Sequence, residues 1–263
     1  MKRILWGFVC LYSLSLAAAS QVALQPDPIL ACARDAKGEA AALARVTSVL
    51  LTTLVDGDVR TETLLVPRDR LWEISADTVM GQVSSTDLEA GQSQMRWIPG
   101  DGSGAKTTRH PATHDEIAGL ERLTIELVLR LHPLQVKAAS VRRGVLRGSR
   151  MNIVTIPGRT QTQRHDLYLD AKDCRLRRMV TFQTRADGIT ERAAWIKDFD
   201  DYRAVEGVSL PHTVKVKADP EWWVRMIVQR RKYSLNVDYD PSIFSDELRP
   251  VFGGWRRPQA DVR

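Results

Sequence analysis

Two histidines four residues apart are the first side chains in this sequence that could do chemistry. His110 and His114 have the i, i+4 spacing that sets two imidazoles on one helix face to hold a metal. Pro111 falls between them, at a loop-to-helix junction, and no third ligand is near in sequence. The pair therefore reads as solvated. His132, His165 and His212 are scattered. Asp198, Asp200 and Asp201 offer three carboxylates, but the glycine and bidentate glutamate of a calcium loop are missing. They read as exposed charges closing a strand. The glycine-rich, basic stretch 99–111, PGDGSGAKTTRHP, lacks the Gly-Lys-Ser/Thr ending of a phosphate-binding loop and reads as a surface loop. A nucleophile elbow needs Gly-x-Ser-x-Gly, which does not occur. Arg230-Arg231-Lys232 alternates within an expected strand, so its charges split between two faces, which suits a solvated edge better than nucleic acid. The chain thus reads as a non-enzyme with no catalytic residues, metal or cofactor. An exported enzyme ranks last among the readings because no acid–base or nucleophile set is present.

The first twenty residues bear on the compartment. Lys2 and Arg3 form a basic start, Ile4 to Leu16 an apolar run, and Ala17-Ala18-Ala19 a cleavage site of the A-x-A kind. This pattern predicts a signal peptide over residues 1–19, with cutting after Ala19, or alternatively at Ser20 or Ala23, and export to the periplasm. An uncleaved N-terminal anchor is the alternative. No later stretch approaches the ~20 apolar residues of a spanning helix. Losing Lys2 and Arg3, one positive charge each, takes the formal charge from +6 to +4. The pI of about 9.4 comes from charges mixed along the strands, so no nucleic-acid partner is expected. Cys10 leaves with the leader. Cys32 and Cys174 remain, an even pair in an oxidising compartment, to be read as a disulfide or as two separate thiols. Pro26, Asp27 and Pro28 separate Ile29-Leu30-Ala31-Cys32 from the apolar run, which argues against lipidation there.

The elements follow from periodicity. Asp27 can cap a helix with Pro28 at its first position, running Ile29 to about Ala44 with a break available at Gly38. From Val46 the period changes to two. Val46–Val55, Asp56-Gly57 and Val59–Val66 predict a hairpin, followed by strands at Leu71–Ser75, Thr78–Ser84 and Ser93–Ile98. Thr113 and Glu116 match a capping box, and Ile117, Leu120, Leu123, Leu127 and Leu131 recur at helical spacing up to Pro133. This 113–132 helix is too apolar to lie on water. Beyond about Ala139, strands are expected at Val141–Leu146, Met151–Ile156, His165–Leu169, Arg175–Thr184, Thr190–Lys197, Val208–Lys217 and Trp223–Leu235. Within them, Glu206-Gly207 makes a tight turn, and Pro211 fits an edge or a bulge, where its missing N–H is tolerated. The order is a helix, about five strands, a long apolar helix, then about six strands. It predicts an α+β class: an open, strongly curved antiparallel half-barrel sheet with helices on its concave side. A closed barrel would have no need of the apolar helix.

What remains is apolar surface. Alternation places Trp72, Ile74, Met95 and Trp97 on inner faces of the first strands. It does the same for Ile153, Leu167, Leu169, Val180, Phe182, Trp195, Met226 and Val228 in the later ones. An ordinary sheet core explains such a set, and so does an adaptable lipid cavity. Residues 199–214, of the form DYRxVxGVxLPHxV, resemble the C-terminal sheet of the periplasmic outer-membrane lipoprotein carrier superfamily (LolA/LolB-like). So do the LYLDAKDCRLRRMVTF hairpin, Leu167 to Phe182, and SLNVDYDPSIFS, Ser234 to Ser245. The resemblance is closer over 165–245. It implies a LolA-like lipid-binding domain over 20–245, a C-terminal tail over 246–263, and a cavity that takes acyl chains of a lipid or lipoprotein when a helical lid moves. The lipid-contacting residues would be Trp72, Ile74, Met95, Trp97, Leu127, Leu131, Phe182, Trp195 and Met226. The partners implied are those acyl chains and an envelope membrane protein. The alternative on the same fold is an envelope sensor or scaffold binding a protein partner.

Overall fold

The computed structural model describes residues 25–55, 59–66, 70–76, 80–87, 91–99, 106–129, 131, 133–158, 162–184, 188, 190–218 and 226–238. The expected signal peptide, the Asp56-Gly57 turn and the tail lie outside these residues. The described chain runs α1 (Pro26–Lys37), α2 (Ala40–Ala44), β1 (Val49–Val55), β2 (Val59–Val66), β3 (Arg70–Ala76), β4 (Met80–Asp87), β5 (Gln92–Pro99) and β6 (Lys106–Pro111). After these come α3 (His114–Val128) and α4 (Pro133–Lys137). The second run is β7 (Ser140–Leu146), β8 (Ser149–Pro157), β9 (Gln163–Asp170), β10 (Leu176–Thr184), β11 (Glu191–Val205), β12 (Val208–Ala218) and β13 (Ile227–Leu235).

All strands join one antiparallel sheet in the order β6-β5-β4-β3-β2-β1-β13-β12-β11-β10-β9-β8-β7. Two meanders are thus welded by a single non-sequential pair, β1 with β13, in register from Val49↔Leu235 to Val55↔Gln229. β6 and β7 are the free edges, so the sheet is open. It is also curved. α3 approaches β2 and β4 on one arm, and its Glu121 reaches His165 on β9 of the other. Eight strand spacings separate β4 from β9, roughly 38 Å if flat, while the 15 residues of α3 make a helix only ~22 Å long and ~10–12 Å across. Only a sheet wrapped around α3 satisfies both contacts. The predicted open half-barrel with helices on its concave side is what forms.

Several expectations shift. The first helix starts at Pro26 with Gln25 as its cap, and Asp27 falls inside its first turn. Gly38 breaks it, and a separate α2 follows. The stretch 99–111, read as a loop, ends in strand β6, which holds register with β5 from Gln92↔Pro111 to Trp97↔Lys106. Six strands therefore precede α3, and seven follow it. β11 does not stop at the acidic run but continues through it to Val205. Pro211 is tolerated because pairing of β12 with β13 begins only at Thr213. The capping box at Thr113 and Glu116 forms as expected. The helix ends earlier than Pro133, however. Leu129 adopts the left-handed conformation, φ 48°, at its C-cap. A branched residue there costs on the order of 1–2 kcal/mol. Packing offsets this, since Leu129 is buried in the same cluster as Ile125.

Gly38 is required by geometry. Its φ is +143°, it bridges Val208, and a Cβ at this position would sit 2.3 Å from the Gly207 carbonyl oxygen. The break between α1 and α2 is thereby pinned to the tip of the β11–β12 hairpin. Gly38→Ala should destabilise the fold by about 3 kcal/mol, combining a disfavoured φ with a backbone clash. Urea denaturation should show a lower midpoint at unchanged slope; an unchanged midpoint would refute the bridge.

Candidate functional site

Helix α3 is the element on which the concave side is built. Leu120 and Leu127 pack with Val49, Leu65, Val208, Leu210 and Leu235. Ile125 and Leu129 pack in a second cluster with Leu30 and Ala33 of α1 and with Val154, Ile156, Leu167, Leu169, Phe199 and Val214 of the sheet. Ile125, Glu126, Leu127 and Leu129 are all buried and Val128 is half-buried, so this end of α3 is largely enclosed.

Two acids lie within this apolar setting. Glu126 is 0% exposed. One carboxylate oxygen accepts from the Arg231 guanidinium on β13, and the other accepts from Lys197 Nζ on β11 at 2.9 Å. Its backbone carbonyl accepts from Lys37 Nζ at the end of α1, at 2.6 Å. Glu121 is also buried and accepts from the Gln135 amide of α4, which donates as well to Pro157 O at 2.8 Å. His165 Nε2 lies 3.4 Å from Glu121, and its Nδ1 lies 3.0 Å from Thr181 Oγ1. A hydroxyl, an imidazole and a carboxylate in line resemble a nucleophile relay. Here all three are sealed from solvent, so the set acts as a structural clamp between α3, β9 and β10.

Burial and the nearby Arg231 charge lower the Lys37 pKa to about 7. Burial pushes the Tyr202 hydroxyl well above its usual range, with the hydroxyl donating to Leu176 O. Lys37 also lies over the Tyr202 ring, 5.5 Å from its centre. Lys37, Leu129, Leu169, Arg175, Leu176 and Tyr202 line a cleft too narrow to admit water. Beside it, Cys32 and Cys174 are joined in a disulfide that ties α1 to the β9–β10 turn.

The residues expected to contact lipid do not form one group. Leu127 and Leu131 pack into the two clusters, one in each. Trp195 faces α3, with Arg122 5.7 Å from its ring centre, yet remains 38% exposed at the rim. Phe182 lies on the opposite face. It pairs with Arg164, whose guanidinium sits 3.8 Å from its ring centre. On β10 the inward residues are Met179 and Thr181, paired with Leu167 and His165, so Val180 and Phe182 point outward. The expected parity of this strand was off by one. Ile153 is outward too, because Val154 and Ile156 on β8 enter the core. Met226 is 51% exposed at the start of β13, and Met95 is half-buried on β5. Met95 and Trp97 occupy the register rows of Thr63 and Thr61, while Trp72 falls in the row of Leu64 and Ile74 in that of Glu62. The side chains of Trp72, Ile74 and Trp97 lie outside the described residues. His110 is near Glu116, 3.6 Å from Nε2, and the His114 side chain is outside the described residues. Among the described residues, no group of three or more His, Cys, Asp or Glu could hold a metal. No described helix is long and apolar enough to cross a membrane.

Sequence reading missed Glu121, Glu126, Lys197 and Lys37 as a group. The signal was present: Glu126 stands between Ile125 and Leu127 in the most apolar helix, and Lys197 alternates with Trp195 and Phe199. The alternation of Arg230-Arg231-Lys232 does split between two faces, but not at a solvated edge: β13 is paired on both sides, and Arg231 is buried against Glu126 while its neighbours are exposed.

No family model matches the sequence, and no curated protein matches it. Among solved structures, the chain is similar to a DUF1329 family protein from Desulfovibrio piger at 10% identity and a TM-score of 0.47, covering 84% of this chain and 97% of that one. It is also similar to a LolA superfamily protein from Nitrosomonas europaea at 12% identity and a TM-score of 0.45, covering 85% and 99%.

Removing the Glu126 carboxylate should leave buried Arg231 without its counter-charge and take one ion pair from half-buried Lys197. Glu126→Ala is expected to lose about 3–5 kcal/mol in urea denaturation; a loss below about 1 kcal/mol would show that the acid does not anchor α3. Lys37 supplies a second readout. Unfolded, it keeps its proton up to about 10.5; folded, it releases it near 7. Between these values the unfolded chain binds more protons, so stability from this group rises with pH above 7 and is lost as pH falls back to 7. The Tm of the wild type should climb relative to Lys37→Met between pH 7 and 10. Parallel curves would refute the shift.

Proposed function

We propose that this protein is a periplasmic lipid- or lipoprotein-binding protein of carrier type, which covers acyl chains on the concave face of its sheet. One observation carries the reading. The apolar residues Leu120, Ile125 and Leu127 of α3, with Leu129 at its cap, enter both of the apolar clusters of the half-barrel, beside Leu30 and Ala33 of α1 and Ala42 of α2. Displacing α3 would open both clusters, whose sheet residues lie on β1, β2 and β8–β13 and are covered in part by α1 and α2. An acyl chain laid there would restore burial worth ~0.8 kcal/mol per CH₂. The closed form described above is then the unloaded state, with α3 in the place of the ligand. The disulfide suits an oxidising compartment. A sensor or scaffold role on the same fold is favoured by the buried ion pairs under α3, since a broad protein surface can offset the cost of breaking them more readily than one acyl chain.

Native mass spectrometry of protein purified from the periplasm should detect a co-purifying lipid. A fluorescent fatty acid should bind and alter the emission of Trp195, with Trp195→Phe as the control. Failure of both experiments would remove the carrier reading and leave the protein-partner one.

A further inference from the structure

The charges beneath α3 restrict what could take its place. Glu126 is the carboxylate that answers Arg231 and Lys197, and it belongs to the helix. The cations belong to the sheet, on β13 and β11, two strands apart with β12 between them. Val214 and Val216 of β12 are buried between these two strands. If α3 leaves, its acid leaves with it, and the cations stay. Arg231 is 5% exposed, and its Nε already has no hydrogen-bond partner. Lys37, 4% exposed, adds a third amine that reaches the same helix turn from α1. An uncompensated buried cation is among the costliest defects a fold can carry. A neutral amphiphile would cover the valines but leave buried Arg231 with only the uncharged Gln229 amide and no counter-charge among the described residues.

We infer that the concave face takes an anionic amphiphile, whose headgroup replaces the Glu126 carboxylate between Arg231 and Lys197 while its chain replaces the apolar residues of α3. This rests on the lipid-binding reading and sharpens it. The two oxygens of Glu126 each serve a different cation, so the headgroup needs at least two anionic oxygens, as a carboxylate or a phosphate has. The helix thus acts as a tethered copy of its own ligand, matching it in both charge and apolar surface.

The test compares dodecanoate, dodecyl phosphate and 1-dodecanol, three probes with one chain and different heads, by isothermal titration calorimetry on the full mature chain. At least one anion should bind tenfold or more tightly than the alcohol, and which of the two does so identifies the headgroup chemistry. Glu126→Gln, which removes the competing charge, should raise anion affinity severalfold. Arg231→Met should abolish the preference while retaining dodecanol binding, which also shows that the variant is folded. Equal binding of all three probes would overturn the anionic headgroup and leave the lipid reading standing. Binding of none would overturn both.

Discussion

The concave side of this protein is organised by one buried carboxylate. Glu126 can be sealed from water only because Arg231 and Lys197 reach it from strands on either side of β12. That requirement fixes the rotation of α3 and its depth over the sheet. It also brings the end of α1 in, since Lys37 donates to the carbonyl of the same residue. Apolar contacts alone would tolerate a sliding or turning helix, because hydrophobic burial is non-directional. A carboxylate held by two cations does not tolerate it. Glu121 adds a second fixed point one turn away, through His165 and Gln135.

The outer face uses charge differently. Arg147 and Arg178 share Asp198, Arg142 and Arg164 share Asp166, and Arg164 also meets Glu191. Arg142 and Arg147 are exposed and Arg164 and Arg178 half-buried, while Asp166 is itself buried; a fully exposed pair is worth ~0–1 kcal/mol, and the pairs on Asp166 are costlier to break. Together these pairs let β7–β11 present a solvated surface without a large field of one sign. The pairs of Glu126 beneath α3 and of the buried Asp166 are costly to break, whereas an exposed pair such as Arg203 with Asp201 is not.

Much of the architecture was legible because period-two alternation and turn residues are local. The β1–β2 hairpin, the capping box at Thr113 and the split faces of Arg230–Lys232 all follow from neighbours in sequence. The pairing of β1 with β13 was not legible, since it joins residues that local pattern cannot relate. Nor was the parity of β10, where register shifts beside Leu176 and after Thr181 reassign which residues face inward. Glu126 was visible as an oddity in an apolar helix, but its meaning depended on cations 71 and 105 residues away. The segment Lys197–Val216 marks the family resemblance and holds one of those cations. Its closing turn, at Gly207, is also the surface on which the α1–α2 break rests.

The helices covering the sheet are not equivalent, and this decides which of them can act. α1 is tied covalently through Cys32 to Cys174, and the loop so closed spans 142 residues, for which chain entropy alone gives on the order of 5 kcal/mol. α1 is also followed by the Gly38 bridge to Val208. α3 has no covalent tie among the described residues; ion pairs, hydrogen bonds and apolar contacts hold it. Those are the kinds of interaction that a ligand or a partner surface can substitute one for another, whereas a disulfide must be chemically cut. Lys37 stands at the junction, on the disulfide-tied helix and bonded to the untied one. Under oxidising conditions the disulfide keeps α1 on the sheet, while α3 is held there by non-covalent contacts alone among the described residues.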